Sequence, residues 1–334
     1  MILAAWAALS AVLIGRLGVL RGAPLAGAPQ RLNRFSLWHL AAIVALYLFF
    51  AFAAAIAFLV IQHAVAPTES ATVAPASAPA ATAPRIESTK GPVMIVRAPT
   101  SAPATTASRH AAPHSPQELV AILVSDSAGK LAAALAILAC AHLLVVGGLA
   151  AFGMGHRQVL SGLWQGLVAA FLMGPWMLLV SLAVEAASHY FRHAEPPEHA
   201  IIQALRAHPS ALAEIIMIGS AVIIAPFAEE LFFRGFLQTA LLRLARYRAT
   251  RAGLDSGATP STRWRVILTT SAFFAAIHLT GTNFEVLPPL LLLAVTLGYV
   301  YERTGNLWSA MTLHFLFNAN TIVLVMYQIH AKGP

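Results

Sequence analysis

Charge is scarce in this sequence: 10% of its 334 residues are Asp, Glu, Lys or Arg, while 58% are hydrophobic. A soluble domain carries roughly 25% charged residues to solvate its surface, so lipid has to cover much of this chain. Cysteine is nearly absent as well. Cys140 stands alone, which excludes a disulfide within the chain and a cysteine-based zinc site. Inside the run 131–151 it reads as a small apolar packing residue. No HExxH motif occurs and no convincing internal repeat is visible, which counts against a transporter built from repeated halves. Acidic residues number 13 against 21 Lys and Arg, for a net charge of +8. The arginines lie in short loops between apolar runs, where they orient a membrane protein and do not mark a nucleic-acid groove. The partner of most of the surface is the lipid bilayer, and no nucleic acid is expected.

What the sequence has in plenty is apolar runs near the roughly 20 residues a helix needs to cross the hydrocarbon core. Eight are expected: 1–20, 37–65, 131–152, 159–186, 211–227, 264–279, 286–301 and 307–327. The fold class is all-α, a polytopic transmembrane helical bundle of about eight spans. In the first run the positive charges Arg16, Arg21, Arg31 and Arg34 follow the apolar stretch, the reverse of a signal peptide, so a retained helix is expected. The fifth run continues as a helix to about Tyr247, because EELFFRGFLQTALLRLARYR keeps helical spacing and good helix formers.

Three regions follow. Residues 1–65 hold two N-terminal spans. Residues 66–116 are rich in Ala, Pro, Thr and Ser, and the repeated prolines exclude a packed core, leaving a disordered linker with polyproline II character. Residues 130–328 form the main bundle. Arg21, Arg31 and Arg34 lie between spans one and two; Arg246, Arg248, Arg251, Arg263 and Arg265 lie between spans five and six. Four crossings separate the two loops, so eight spans put both on the cytoplasmic side, as the positive-inside rule asks. The linker, the segment 185–210 and both termini then face outward.

Ionisable side chains inside apolar spans are costly and mark functional candidates. Three groups stand out. Glu229 and Glu230 follow Pro226, and Glu230 and Arg234 share a helix face at i, i+4, where they can pair; Glu229, turned by about 100°, is left for another task. An acidic pair snorkelling at a span end is the alternative. Phe274 and His278 are four apart in the sixth run, where a lone histidine is more often a satisfied packing residue. His314 and Asn318 are four apart in the last run; they either tie helices together or donate hydrogen bonds to a developing oxyanion. Measured along ideal helices from the cytoplasmic ends, His314 lies about 12 Å deep and His278 about 20 Å. Together the three groups carry water-activation chemistry: a carboxylate and a histidine orient and deprotonate water. No serine or cysteine nucleophile is needed.

In order along the chain, EELFFRGFL, FFAAIH and YERTGNLWSAMTLHFLFN resemble the EExxxR, FxxxH and HxxxN motifs of the CPBP intramembrane proteases, the group of CAAX prenyl endopeptidases and bacteriocin-processing proteins. The resemblance covers 211–325. It implies an intramembrane endopeptidase in which Glu229 is the general base, His278 its partner, and His314 with Asn318 the oxyanion site. It implies that Glu230 and Arg234 are supports, with Phe274 beside them, and that no cofactor is required. A zinc ion on Glu229, His278 and His314 is the alternative, a His₂Glu set. The substrate is a peptide or membrane protein, and prenylated CAAX chains are one family association. A non-catalytic scaffold or bacteriocin-immunity factor is the competing function, with a transporter behind it. The Ala/Arg-rich composition and lack of organellar signals point to a bacterial inner membrane.

Overall fold

The computed structural model of the chain describes residues 1–16, 25, 45, 116–145, 147–192, 205–206, 209–253, 258–279 and 284–331. Among these residues the regular structure is helical: α1 (Ile2–Arg16), α2 (Pro116–Leu144), α3 (Val159–Arg192), α4 (Ala211–Arg251), α5 (Pro260–His278), α6 (Leu287–Thr304) and α7 (Leu307–Ala331). The all-α expectation holds. Helix α4 is one long rod interrupted by two π stretches, Ser220–Ile224 and Leu231–Gln238, and it continues past the apolar run as expected, through Tyr247 to Arg251.

By length and composition, four stretches among the described residues suffice to cross a membrane: Pro116–Leu143, Gly148–Phe191, Ala211–Arg251 and Leu307–Tyr327, with Ile2–Arg16 as a shorter apolar helix. Eight spans are not reached on that measure. Helices α5 and α6 form where expected, yet Arg263 and Arg265 open one and Glu302 and Arg303 close the other, which lowers their apolar content. The expected second span 37–65 apart from residue 45, the expected linker 66–116 apart from its last residue, and Arg21, Arg31 and Arg34 lie outside the described residues. Two boundaries differ as well. The third run was expected at 131–152, but α2 starts at Pro116, since the polar stretch from Ser125 to Lys130 is helical and braced by the Asp126–Lys130 pair at 2.7 Å. It ends before Gly147 and Gly148, both at positive φ, where only glycine is unstrained.

Close crossings fix the bundle. Gly162 and Gly166 put a small-residue stripe on α3 against α7: a Cβ at Gly166 would lie 2.5 Å from Thr312 Cβ, and one at Gly162 would collide with Trp308 Cβ. Small residues at this spacing let two helix backbones approach without side chains between them. Pro175 docks α1 by another route. It has no N–H to give the carbonyl of Phe171 four residues back; the indole Nε1 of Trp6 donates to that carbonyl at 3.1 Å instead. Beside it Ser10 donates to Leu172 O and accepts from Trp176 Nε1 at 3.0 Å. The outer side of α3 shows Leu160, Trp164, Leu182 and Phe191, as a lipid-facing surface should.

At one end of the bundle Arg263, expected in a loop, is buried in the first turns of α5 and paired with Glu302 on α6. Gln238 on α4 donates to Glu302 Oε2 at 3.3 Å and to Gly298 O at 3.1 Å. A charge that reads as topology is thus a tertiary lock. Pro260 at the first helical position and Thr259 as N-cap, accepting from Thr262 N at 3.2 Å, start α5 early enough to include it.

Candidate functional site

The site forms where α4, α5, α6 and α7 meet. The turn between α6 and α7 sets the last of these. Gly305 closes α6 with φ of 65°, and Thr304 Oγ1 accepts from Asn306 N at 3.2 Å. Asn306 Oδ1 then accepts from Trp308 N at 3.1 Å, as an N-cap does, while its Nδ2 donates to Gln158 O at 2.8 Å. The TGNLW segment is therefore a tightly bonded reversal, and it delivers His314 to the bundle interior two turns later.

There His314, 3% exposed, lies between two carboxylates. Its Nδ1 is 2.8 Å from Glu230 Oε1, and its Nε2 is 3.9 Å from Glu229 Oε2. Glu230 is fully buried; its Oε1 also accepts from Arg234 Nη1 at 2.6 Å, while Oε2 has no hydrogen-bond partner. A carboxylate held by a guanidinium only accepts, so His314 Nδ1 donates to it and Nε2 is the nitrogen left for other work. Arg234 is fully engaged too: Nη2 donates to Ala294 O on α6 at 3.1 Å, and the guanidinium carbon sits 4.7 Å from the Phe274 ring centre. Buried charges persist only when paired and hydrogen-bonded in this way. Glu229, on the same helix but 18% exposed at its side chain, keeps access to the site's open side.

Phe274 joins the histidines. Its ring centre is 4.6 Å from that of His278 and 6.0 Å from that of His314. The two histidines thus sit against one ring, and the difference in depth counted along ideal helices disappears. His278 is the last residue of α5, and its Nδ1 meets Phe274 O at 2.7 Å. A carbonyl accepts, so Nδ1 bears a proton, and this bond orients the ring. One turn beyond His314, Asn318 Nδ2 donates to Ala221 O in the first π stretch of α4 at 2.8 Å.

All seven residues singled out in the sequence therefore fall in one region: Glu229, Glu230, Arg234, Phe274, His278, His314 and Asn318. The Glu230–Arg234 pair expected from i, i+4 spacing is present. The direct bond from Glu230 to His314, 84 residues apart, had no local signal. Nor had the Ala294 and Ala221 carbonyls, which are backbone groups. In the structure two π stretches flank Glu229 and Glu230, and π turns concentrate at functional sites. Among the described residues no group of three His, Cys, Asp or Glu side chains is gathered as a metal site.

Comparison with known families adds one result. Residues 211–320 match the family model described as Rce1-like, type II CAAX prenyl endopeptidase Rce1-like. The match runs from the first turn of α4 to just past Asn318 and takes in every residue of the cluster. Searches of curated proteins and of solved structures each gave no match.

Proposed function

We propose, for a multi-pass membrane chain whose residues 211–320 match the Rce1-like type II CAAX prenyl endopeptidase family model, that it is an endopeptidase cleaving a peptide or membrane-protein substrate at or within the bilayer. The observation that carries the reading is His314 held between Glu230 and Glu229 with its Nε2 turned away from the buried pair. Such a carboxylate–histidine arrangement orients one nitrogen for a reacting atom.

Glu229 and His278 activate water. Glu229 is the more accessible carboxylate, and His278 is its partner in proton transfer, its ring oriented by the Phe274 carbonyl. The water proton passes to this pair as the oxygen bonds to the scissile carbonyl carbon. His314, in the form that carries a proton on Nε2 as well as on Nδ1, and Asn318 donate to the oxyanion that develops on the carbonyl oxygen. As the C–N bond breaks, the proton held by the Glu229–His278 pair goes to the leaving amine. Glu230 and Arg234 keep His314 in place. No step passes through a metal. The membrane is proposed to be a bacterial inner membrane.

The test is cleavage of a quenched peptide library in detergent by wild type, Glu229→Ala and His278→Ala, each with and without a strong chelator. Cleavage by wild type alone, unchanged by chelator, is the expected outcome. Equal cleavage by all three would turn the cluster into a helix-holding scaffold, the competing reading. Loss on chelation with recovery on added zinc would replace the metal-free route.

A further inference from the structure

We infer that Pro226 is a positioning residue of the site: by lacking an N–H it leaves the Ala221 carbonyl open as an anchor for Asn318. In a π turn each carbonyl takes the amide five residues on, and Ala225 N–H accordingly donates to Ser220 O. One step later the amide in register with Ala221 O belongs to Pro226, which has none. A buried carbonyl without a partner costs about 1–3 kcal/mol, and here the partner is the Asn318 side chain at 2.8 Å. The carboxamide NH₂ carries two hydrogens. Ala221 takes one, which fixes the plane of the amide and directs the second.

The same device occurs elsewhere in the molecule. Pro175 leaves Phe171 O open on α3, and Trp6 Nε1 from α1 fills it. In both places a proline inside a helix creates an acceptor that a side chain of another helix uses as its docking point. At Pro226 that acceptor lies eight residues before Glu229, and the docked side chain is on the His314 face of α7. One tie therefore relates the helix carrying the carboxylates to the helix carrying the oxyanion donors.

The inference deepens the proteolytic reading, and it has a readout that does not depend on cleavage. Wild type, Pro226→Ala, Asn318→Ala and the double variant are compared by thermal unfolding in detergent. The kcat and KM of each are measured on a peptide the wild type cleaves. Alanine at 226 supplies the missing N–H, so Ala221 O pairs within α4 and the Asn318 amide is released. Asn318→Ala then lowers the unfolding midpoint in the wild-type background and leaves it unchanged in the Pro226→Ala background. Pro226→Ala lowers kcat by roughly 10- to 100-fold with KM unchanged, below or near the effect of losing one oxyanion donor, and its unfolding midpoint does not fall. The double variant has the kcat of Asn318→Ala alone. If Asn318→Ala does not fold, its rescue by Pro226→Ala is the same result, and failure of rescue overturns the inference. An equal drop in midpoint in both backgrounds, or wild-type kcat in Pro226→Ala, also overturns it. A wild type that cleaves nothing refutes the proteolytic reading alone, since the unfolding cycle still decides the tie.

Discussion

His314 donates from Nδ1 to Glu230 Oε1 across 2.8 Å, and the same oxygen accepts from Arg234 Nη1 at 2.6 Å. One buried carboxylate oxygen therefore holds both the catalytic-type histidine of α7 and the guanidinium that reaches α6. Glu230 is fully buried, while Glu229, its neighbour in sequence, is partly exposed.

Removing one partner of this buried pair leaves a charge with no compensation, at about 3–5 kcal/mol. Arg234→Ala is expected to lower the thermal unfolding midpoint sharply. The double variant Glu230→Gln/Arg234→Met removes both charges and recovers much of that loss. Unfolding of the two proteins in the same detergent checks the order.

Glu229→Gln is expected to separate chemistry from stability. The side chain is partly exposed and outside the Glu230–Arg234 pair, so the midpoint stays near wild type, within about 0.5 kcal/mol. Cleavage falls by about 10²–10⁴-fold, the usual effect of losing a general base. Paired kcat and unfolding measurements give both numbers.

Phe274 packs on Arg234, His278 and His314 at once. Phe274→Ala is expected to cost about 3–5 kcal/mol as a buried aromatic truncation and to lower kcat as well, because both histidines lose a common wall. Phe274→Tyr keeps the ring and should retain more of both. A Phe274→Ala protein with wild-type kcat would show that the histidines are held by their hydrogen bonds alone.

Gly166→Val tests the α3–α7 crossing. Even a first carbon at that position lies 2.5 Å from Thr312 Cβ, so the helices must part, at about 1–3 kcal/mol for overpacking. Cleavage should fall with the midpoint, since α7 also carries His314. Gly155→Ala, where the nearest atom is the end of a flexible Gln158 side chain at 3.4 Å, is the control expected to be mild.

The local features were legible beforehand. Glu230 with Arg234, Phe274 with His278, and His314 with Asn318 are each four residues apart, and helical geometry alone puts each pair on one face. What joins one pair to the next was not legible. The bond from Glu230 to His314 spans 84 residues, and the Ala221 and Ala294 acceptors are backbone carbonyls that no side-chain pattern marks. Arg263 misled for a related reason: a basic residue near a helix start reads as a cytoplasmic loop charge until Glu302, 39 residues on, is seen against it. The stripe of Gly162 and Gly166 takes its meaning from the crossing, where Trp308 and Thr312 of α7 lie against it. Among the described residues α5 and α6 do not count as spans by apolarity, since they are helices whose ends carry paired or terminal charge.

The reversal at Thr304–Gly305–Asn306 sets the rotational phase of everything after it. Each residue of a helix turns the next by about 100°, and Asn306 fixes where that count begins. Substitutions between 307 and 313 leave the phase alone. Inserting one residue there swings His314 and Asn318 by about 100°, away from Glu230 and Ala221 together. Inserting four brings them back to within about 40° but one turn further along the axis, so this stretch tolerates a change of residue far better than a change of length.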